Sequence, residues 1–230
     1  MRFIVVLGLV LAMPVTAKAD KLGFGVGVGT LGLEAHATLK LTKNFDAVLG
    51  VSSLDYDDTF SEAGRASVKA TATIDAPRLG VQFFPFSRSG LFVEGGMVFG
   101  GPEINVSLVA DENGVYLVDG EPYNVSNVGT IRGGVGFAND SAPYLLLGWG
   151  RSVGGGLGLN FSIGAISYGS AKANLTSDCT YSLVGGFLNG ANADCTNVRL
   201  ALLNEQAKVN DDLDEFELWP FARIGLSFSF

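Results

Sequence analysis

The sequence is poor in the residues that build metal and catalytic centres. It contains one histidine, His36, and two cysteines, Cys179 and Cys195, in 230 residues. A zinc site takes three or four ligands in a defined geometry, and His36 with Glu34 on one predicted strand supplies only two. We therefore expect no metal site, no cofactor and no catalytic residue.

Basic residues and long apolar runs are scarce as well. There are 15 basic against 23 acidic residues, a formal net charge of -8. Nucleic-acid binding depends on neutralising phosphates, so no nucleic-acid partner is expected. After the N-terminal segment, no run reaches the ~20 apolar residues of a membrane helix, although 47% of the residues are hydrophobic.

The N-terminal segment has the features of an export signal. A single arginine precedes an apolar run over 3–17, which Pro14 interrupts, and Ala-Lys-Ala at 17–19 provides small residues for cleavage. These features predict a secretory signal peptide over 1–19 and a mature domain over 20–230. Export leads to an oxidising compartment, so we expect Cys179 and Cys195 to form a disulfide that staples a loop.

What remains is dominated by alternation of apolar with small or polar residues. The period of two is typical of strands with one apolar face, and half-apolar strands rich in Gly and aromatic residues are typical of a membrane β-barrel. A soluble secreted β-sandwich is the competing interpretation. Alternating rows predict eight strands, near residues 31–41, 45–51, 68–83, 91–99, 131–137, 145–149, 157–163 and 222–230.

The apolar row changes parity at two places. It moves from Ile74 to Leu79 across Pro77, a residue that sheets confine to edges and bulges, so a bulge is predicted there. The apolar row also moves from even positions at Val28 to odd positions at Leu31. Such a change of parity means that a one-residue slip turns the side chains to the opposite face. A bulge or a tight turn is expected at Gly29-Thr30.

A single amphipathic helix is predicted over 196–216, before the final strand, and it is expected to pack on the barrel end. The apolar residues that keep helical spacing there are Val198, Leu202, Val209, Leu213 and Phe216. If short turns are periplasmic, the turn at 42–45 is periplasmic, and seven further strands place Phe230 outside the cell. That placement conflicts with the assembly signal described next, to which we give more weight.

The sequence resembles a group of small Gram-negative outer-membrane barrel proteins without a defined biochemical activity. The resemblance rests on GVGVGTLGLEAHATLKLTKNFDAVLG, PYLLLGWG, LNFSIGAISYGSAKANLT and NDDLDEFELWPFARIGLSFSF. It implies an all-β, antiparallel up-and-down barrel in the cell outer membrane, surrounded by lipids and lipopolysaccharide. It also implies a C-terminal strand that the barrel-assembly machinery reads through Ile224, Leu226, Phe228 and Phe230.

The functional expectation is a structural barrel or a passive pore for small solutes, not an enzyme. An eight-stranded interior is just wide enough for side chains to fill, so the inward charges are expected either to pair in a closed core or to line a narrow pore. The residues expected inside are Glu34, His36, Lys40, Lys69, Asp75, Glu94, Arg132 and Arg223.

Two other functions stay open. A lipid hydrolase of the lipid A deacylase type needs a serine beside His36, and Ser162 and Ser227 are inward candidates. A surface recognition or adhesion protein would use the acidic loops over 55–66 and 111–127, because loops on a rigid barrel commonly carry recognition.

Overall fold

The computed structural model describes residues 21–60, 67–86, 89–109, 115–118, 121–124, 130–137, 139–154, 156–179, 183–184, 187–188, 190–213 and 217–229. The predicted signal peptide over 1–19, Phe216 of the predicted helix and the terminal Phe230 lie outside these residues.

The described part of the chain consists of antiparallel strands and one helix. The helix α1 (Gly190–Leu213) lies between β14 and β15. The strands are β1 (Leu22–Gly29), β2 (Gly32–Lys40), β3 (Phe45–Phe60), β4 (Ser67–Phe83), β5 (Leu91–Phe99), β6 (Pro102–Val109), β7 (Val115–Val118), β8 (Glu121–Asn124), β9 (Ile131–Phe137), β10 (Ser141–Trp149), β11 (Gly156–Ser167), β12 (Ala171–Ser177), β13 (Leu183–Val184), β14 (Phe187–Leu188) and β15 (Leu218–Ser229).

Eight of these strands close into an antiparallel barrel. They are neighbours in the order β1, β2, β3, β4, β5, β10, β11 and β15, and β15 pairs back to β1. The barrel closes between β4 and β5, where Arg78–Phe83 pairs with Val93–Val98. The predicted eight-stranded antiparallel barrel is confirmed.

The barrel wall is apolar outside and small or polar inside, because each strand alternates. The most exposed apolar side chains of the wall are Val26, Val28, Leu33, Leu49, Leu79, Leu145, Leu147, Leu157, Leu159, Ile163, Ile224, Leu226 and Phe228. Near one end, outward aromatic pairs add to this surface: ring centroids are 5.0 Å apart for Phe45 and Phe83 and 6.1 Å apart for Trp149 and Phe161. A continuous apolar band with aromatic residues at its border is typical of a barrel that spans a bilayer.

Five strands continue beyond the barrel as a separate part of the sheet, which we call the extension. It consists of β3 from Leu54 onward and β4 up to Ile74, followed by β6, β9 and β12 in that order. β6 continues the line of β5 past Gly100, which adopts a φ of 73°. In the same way β9 leads into β10. Residues 131–137 therefore belong to the extension, and the prediction that they form a barrel strand is wrong.

The apolar side of the sheet reverses between barrel and extension. Side chains at even positions of β4 face the barrel interior, and this parity runs on without interruption because β4 pairs with β3 in one register from Val68 to Phe83. The bulge predicted at Pro77 is therefore wrong. The parity change seen in the sequence instead marks the point along β4 where the apolar side chains move from the inner to the outer face.

Two cross-strand rows show the reversal across the whole extension. The inner row contains Tyr56, Ala72, Ile104, Val135 and Ala173, one residue from each strand. The outer row beside it contains Asp57, Thr71, Asn105, Gly134 and Asn174. The extension is thus polar outside and apolar inside, the opposite of the barrel wall.

The two ends of the barrel carry different connections. One end, which we call the terminal end, holds Leu22, Ser229 and the connections over 41–44, 84–90 and 150–155. The other, the extension end, holds the extension, the helix and the tight turn between β1 and β2. Of the two alternatives at Gly29-Thr30, the tight turn is the one found.

The strand count also removes the conflict over sidedness. β1 is a barrel strand of its own, and 131–137 is not a barrel strand. Six barrel strands therefore follow the turn over 41–44, so Ser229 lies at the same end as that turn. The strand count that placed the end of the chain opposite this turn fails because 131–137 is not a barrel strand, and the placement favoured from the assembly signal agrees with the structure.

Helix α1 covers the edge of the extension. The side-chain oxygen of Asn210 accepts a hydrogen bond from the Ala173 backbone N–H at 2.7 Å, and that of Gln206 accepts one from Leu175 at 3.0 Å. These amides satisfy an edge strand that would otherwise be open to pairing. A helix before the last strand is confirmed, although it begins at Gly190 and not at 196. It packs on β12 of the extension and not on the end of the barrel as predicted. No helix in the described ranges is both long enough and apolar enough to cross a membrane.

The predicted disulfide is confirmed. It joins Cys179, just after β12, to Cys195 in α1, with Cα atoms 5.7 Å apart. Both cysteines are buried. The bond therefore holds the N-terminal half of the helix to the same strand that Gln206 and Asn210 bind further along.

Candidate functional site in the barrel interior

Two carboxylates and two guanidinium groups meet inside the barrel, each from a different strand. Glu34 comes from β2, Arg78 from β4, Glu94 from β5 and Arg223 from β15. Glu34 lies 2.7 Å from Arg78 and 2.9 Å from Arg223, while Glu94 lies 2.7 Å from Arg223 and 3.4 Å from Arg78. All four are buried, so their charges balance in a region without bulk water.

Uncharged groups complete this charge cluster, which we define as Glu34, Arg78, Glu94 and Arg223. Glu94 accepts hydrogen bonds from Gln82 Nε2 and from the Tyr144 hydroxyl, both at 2.8 Å. Arg223 Nε donates to Ser162 Oγ at 2.7 Å. Buried charges are tolerated when they are paired and hydrogen-bonded in this way. The cluster and its hydrogen-bond partners together tie six strands through the interior.

Some of the residues that were expected inside lie in the barrel interior, and others lie elsewhere. Glu34, His36, Glu94 and Arg223 are buried in the interior. Lys40 lies on the same face of β2 and is half-buried near the terminal end.

Three of the expected interior residues lie elsewhere. Lys69, Asp75 and Arg132 are exposed, and Arg132 pairs with Asp178 at 2.6 Å on the surface. Lys69 and Asp75 were misplaced because the row was thought to shift at Pro77. Arg132 was misplaced because β9 belongs to the extension and its even positions face outward.

Sequence reasoning missed three members of the interior network, Arg78, Gln82 and Tyr144. The signal for all three was present. Arg78 and Gln82 alternate with the outward Leu79, Val81 and Phe83. Tyr144 alternates with Leu145 and Leu147 in the same manner.

A serine, the histidine and a carboxylate lie in line beside the cluster. Ser152 Oγ is 3.4 Å from His36 Nε2, and His36 Nδ1 is 3.0 Å from Glu34 Oε1. The order matches that of a hydrolase triad, but neither serine proposed from the sequence takes part, since Ser162 binds Arg223. Ser152 and His36 are buried, and both oxygens of Glu34 already contact arginines.

The terminal end of the interior is closed by the connection between β10 and β11. Gly150 and Gly154 adopt φ values of 121° and 135°, a left-handed region open mainly to glycine. They turn Ser152 and Val153 into the barrel mouth, where both are buried. Arg151 lies 4.4 Å above the centre of the Phe84 ring, so an aromatic ring and its cation cover the opening.

An apolar layer closes the interior toward the extension end. Its buried members are Leu31, Ile74, Ala76, Val98, Ala142, Tyr144, Leu146, Ile166, Tyr168 and Phe221. Phe221 links this layer to the charge cluster, since its ring centre lies 5.7 Å from the Arg78 guanidinium. The charged region is therefore enclosed between two packed layers.

The described residues contain no group of three or more histidine, cysteine or acidic side chains that could hold a metal ion. The two carboxylates of the charge cluster, Glu34 and Glu94, both contact arginine side chains.

Comparison with known proteins supports the fold. No protein-family model and no curated protein matches the chain. The crystal structure of Acinetobacter baumannii CarO, an outer-membrane protein, matches with a TM-score of 0.58 and 19% identity over 91% of this chain and 98% of that one. That of A. baumannii CarO2 matches with a TM-score of 0.58 and 19% identity over 93% and 100%. This chain therefore has the fold of an outer-membrane barrel with one helix before its last strand.

Proposed function

We propose that this protein is an integral barrel of the outer membrane with a sealed interior, which holds the extension at the cell surface. Its role in the wall is structural, and passage of solutes through the barrel is not part of it. The observation that carries the proposal is the charge cluster enclosed between two packed layers. Export by a cleaved signal peptide over 1–19 belongs to the same proposal.

The orientation follows from the connections. Periplasmic turns of such barrels are short and external connections are longer. The terminal end carries the turns over 41–44, 84–90 and 150–155, so we place it in the periplasm and the extension outside. Ile224, Leu226 and Phe228 then form an outward apolar row at the periplasmic end of the last strand, where the barrel-assembly machinery would read them. Lipids and lipopolysaccharide would surround the wall.

The interior argues against a pore for a physical reason. A solute would have to separate the arginine–carboxylate pairs of the charge cluster, which are 2.7 to 3.4 Å apart. It would then have to pass the apolar layer. Separating buried ion pairs without water to replace them is costly. A fixed opening through the described interior is therefore not compatible with these contacts.

Planar-bilayer recording tests the proposal. Refolded protein, shown to be folded by its altered gel mobility before heating, should give no discrete conductance steps. Steps in the unmodified protein whose ion selectivity changes in Glu94→Gln would show that the charge cluster lines a pore and would overturn the proposal.

The alignment of Ser152, His36 and Glu34 favours a serine hydrolase as a second candidate. Under our proposal, a fluorophosphonate probe should not label the folded protein, because Ser152 is buried and Glu34 is held by arginines. Labelling that disappears in Ser152→Ala but persists in Ser162→Ala would support the hydrolase instead.

A further inference from the structure

The inner face of the extension is an apolar surface that the described residues leave partly open. Tyr56 is 53% exposed, and Leu54 and Ile104 are each 36% exposed. On the same face beside helix α1, Ala173 is only 6% exposed. The helix thus covers the β12 side, and the side formed by β3, β4 and β6 has apolar area available for a ligand.

Two buried hydrogen-bond donors that find no partner among the described residues lie at the base of this face. They are the hydroxyl of Tyr168 and the Nε1–H of Trp219. Tyr168 is fully buried. Buried tyrosine and tryptophan donors usually find an acceptor, so two orphans at one place call for an explanation.

The rings that carry these two donors both adjoin the ring of Phe137, the last residue of β9. The Phe137 centroid lies 5.2 Å from that of Tyr168 and 5.8 Å from that of Trp219. Phe137 is only partly buried. A planar group that moved Phe137 aside would contact both neighbouring rings and bring an acceptor to their donors.

We propose that the inner face of the extension binds a neutral, largely apolar small molecule that carries a hydrogen-bond acceptor such as a carbonyl. The row of Tyr56, Ala72, Ile104 and Val135 would contact its apolar body, and Tyr168 and Trp219 would donate to its acceptor.

The charges around this face define the ligand further. No charged side chain occurs in the inner row, and Asp58 at its margin already accepts a hydrogen bond from the Tyr56 hydroxyl at 2.9 Å. A charged ligand would lose its hydration there without gaining a counter-ion. The outer row, with Asp57, Asn105 and Asn174, is polar, so the extension stands in water and the ligand arrives from water and not from the bilayer.

The test uses a matched pair of fluorinated probes on the full chain in nanodiscs. 4-Fluoroacetophenone has the acceptor, and 4-fluoroethylbenzene lacks it. 19F NMR line broadening should show saturable binding of the ketone. It should bind at least roughly fivefold more tightly than the hydrocarbon, the smallest preference expected when each donor makes a neutral hydrogen bond. Tyr168→Phe should weaken this preference, whereas Trp149→Phe, an aromatic change on the outer wall of the barrel, should keep it.

Several results would overturn the proposal. They are equal binding of the two probes by the unmodified protein, non-saturable broadening that empty nanodiscs reproduce, or an unchanged preference in Tyr168→Phe. If Tyr168→Phe does not fold, Trp219→Phe takes its place with the same expectation. Binding of the probes is measured independently of conductance. A failure of the binding proposal would therefore leave the sealed-barrel proposal standing, and a failure of the sealed-barrel proposal would leave the binding proposal standing.

Discussion

At the scale of single residues, the interior depends on the pairing of charges within the cluster. Glu94 contacts Arg78, Arg223, Gln82 and Tyr144. Each acid faces both arginines, so no charge in the cluster lacks an opposite neighbour. Such a network stabilises the barrel only while all its members are present, because the loss of one partner leaves a buried charge uncompensated.

Glu94→Gln should therefore destabilise the barrel strongly. The amide keeps the shape and some hydrogen bonds but leaves two arginines facing one carboxylate. We expect the free energy of unfolding to fall by about 3 kcal/mol, the range for breaking a buried ion pair. Urea unfolding in lipid vesicles measures this change. The control is Glu103→Gln on the exposed outer face of the extension, and equal stability of the two variants would contradict the role given to the cluster.

Individual interior residues could be predicted only where the face of the strand was assigned correctly. Glu34, His36, Glu94 and Arg223 follow directly from alternation with outward apolar neighbours. Their partners could not be predicted, because Glu34 and Arg223 are 189 positions apart and only barrel closure brings β2 near β15. Ser152 lies in a turn, where alternation carries no information.

At the scale of elements, β4 shows why one strand can carry two opposite patterns. Its residues from Arg78 to Phe83 form part of the barrel wall, with apolar side chains outward. Its residues up to Ile74 belong to the extension, with apolar side chains inward. The change of apolar parity in the sequence reflects the passage of β4 from the extension into the barrel wall. It does not reflect a bulge at Pro77.

Helix α1 acts as a cover for the edge of β12. Replacing Gln206 and Asn210 together by alanine should leave the barrel intact and expose the edge, at a cost of about 1 kcal/mol for each lost hydrogen bond. Hydrogen exchange by mass spectrometry should then be faster in 171–177 and unchanged in β1 and β15. Lys208→Ala, an exposed change on the same helix, serves as the control. Unchanged exchange in 171–177 would show that the two amides do not protect the edge.

At the scale of the whole molecule, alternation was enough to predict an eight-stranded barrel. The export signal predicted the disulfide, and helical spacing predicted the helix before the last strand. Alternation was not enough to predict the extension. Residues 131–137 have the same local pattern as a barrel strand, and only their pairing with β6 and β12 distinguishes them. Closure at both ends also depends on contacts between turns and strands that are distant in sequence.

The central claim is that the outer apolar wall contacts hydrocarbon while the inner side chains do not, and the two tryptophans test it directly. Trp149 points outward and is 49% exposed, whereas Trp219 points inward. The Trp219→Phe variant retains only Trp149. In vesicles of brominated phospholipid it should lose most of the fluorescence that it shows in vesicles without bromine. Trp149→Phe, which retains only Trp219, should keep most of it. Equal quenching of the two variants, or no quenching of Trp149, would contradict the account.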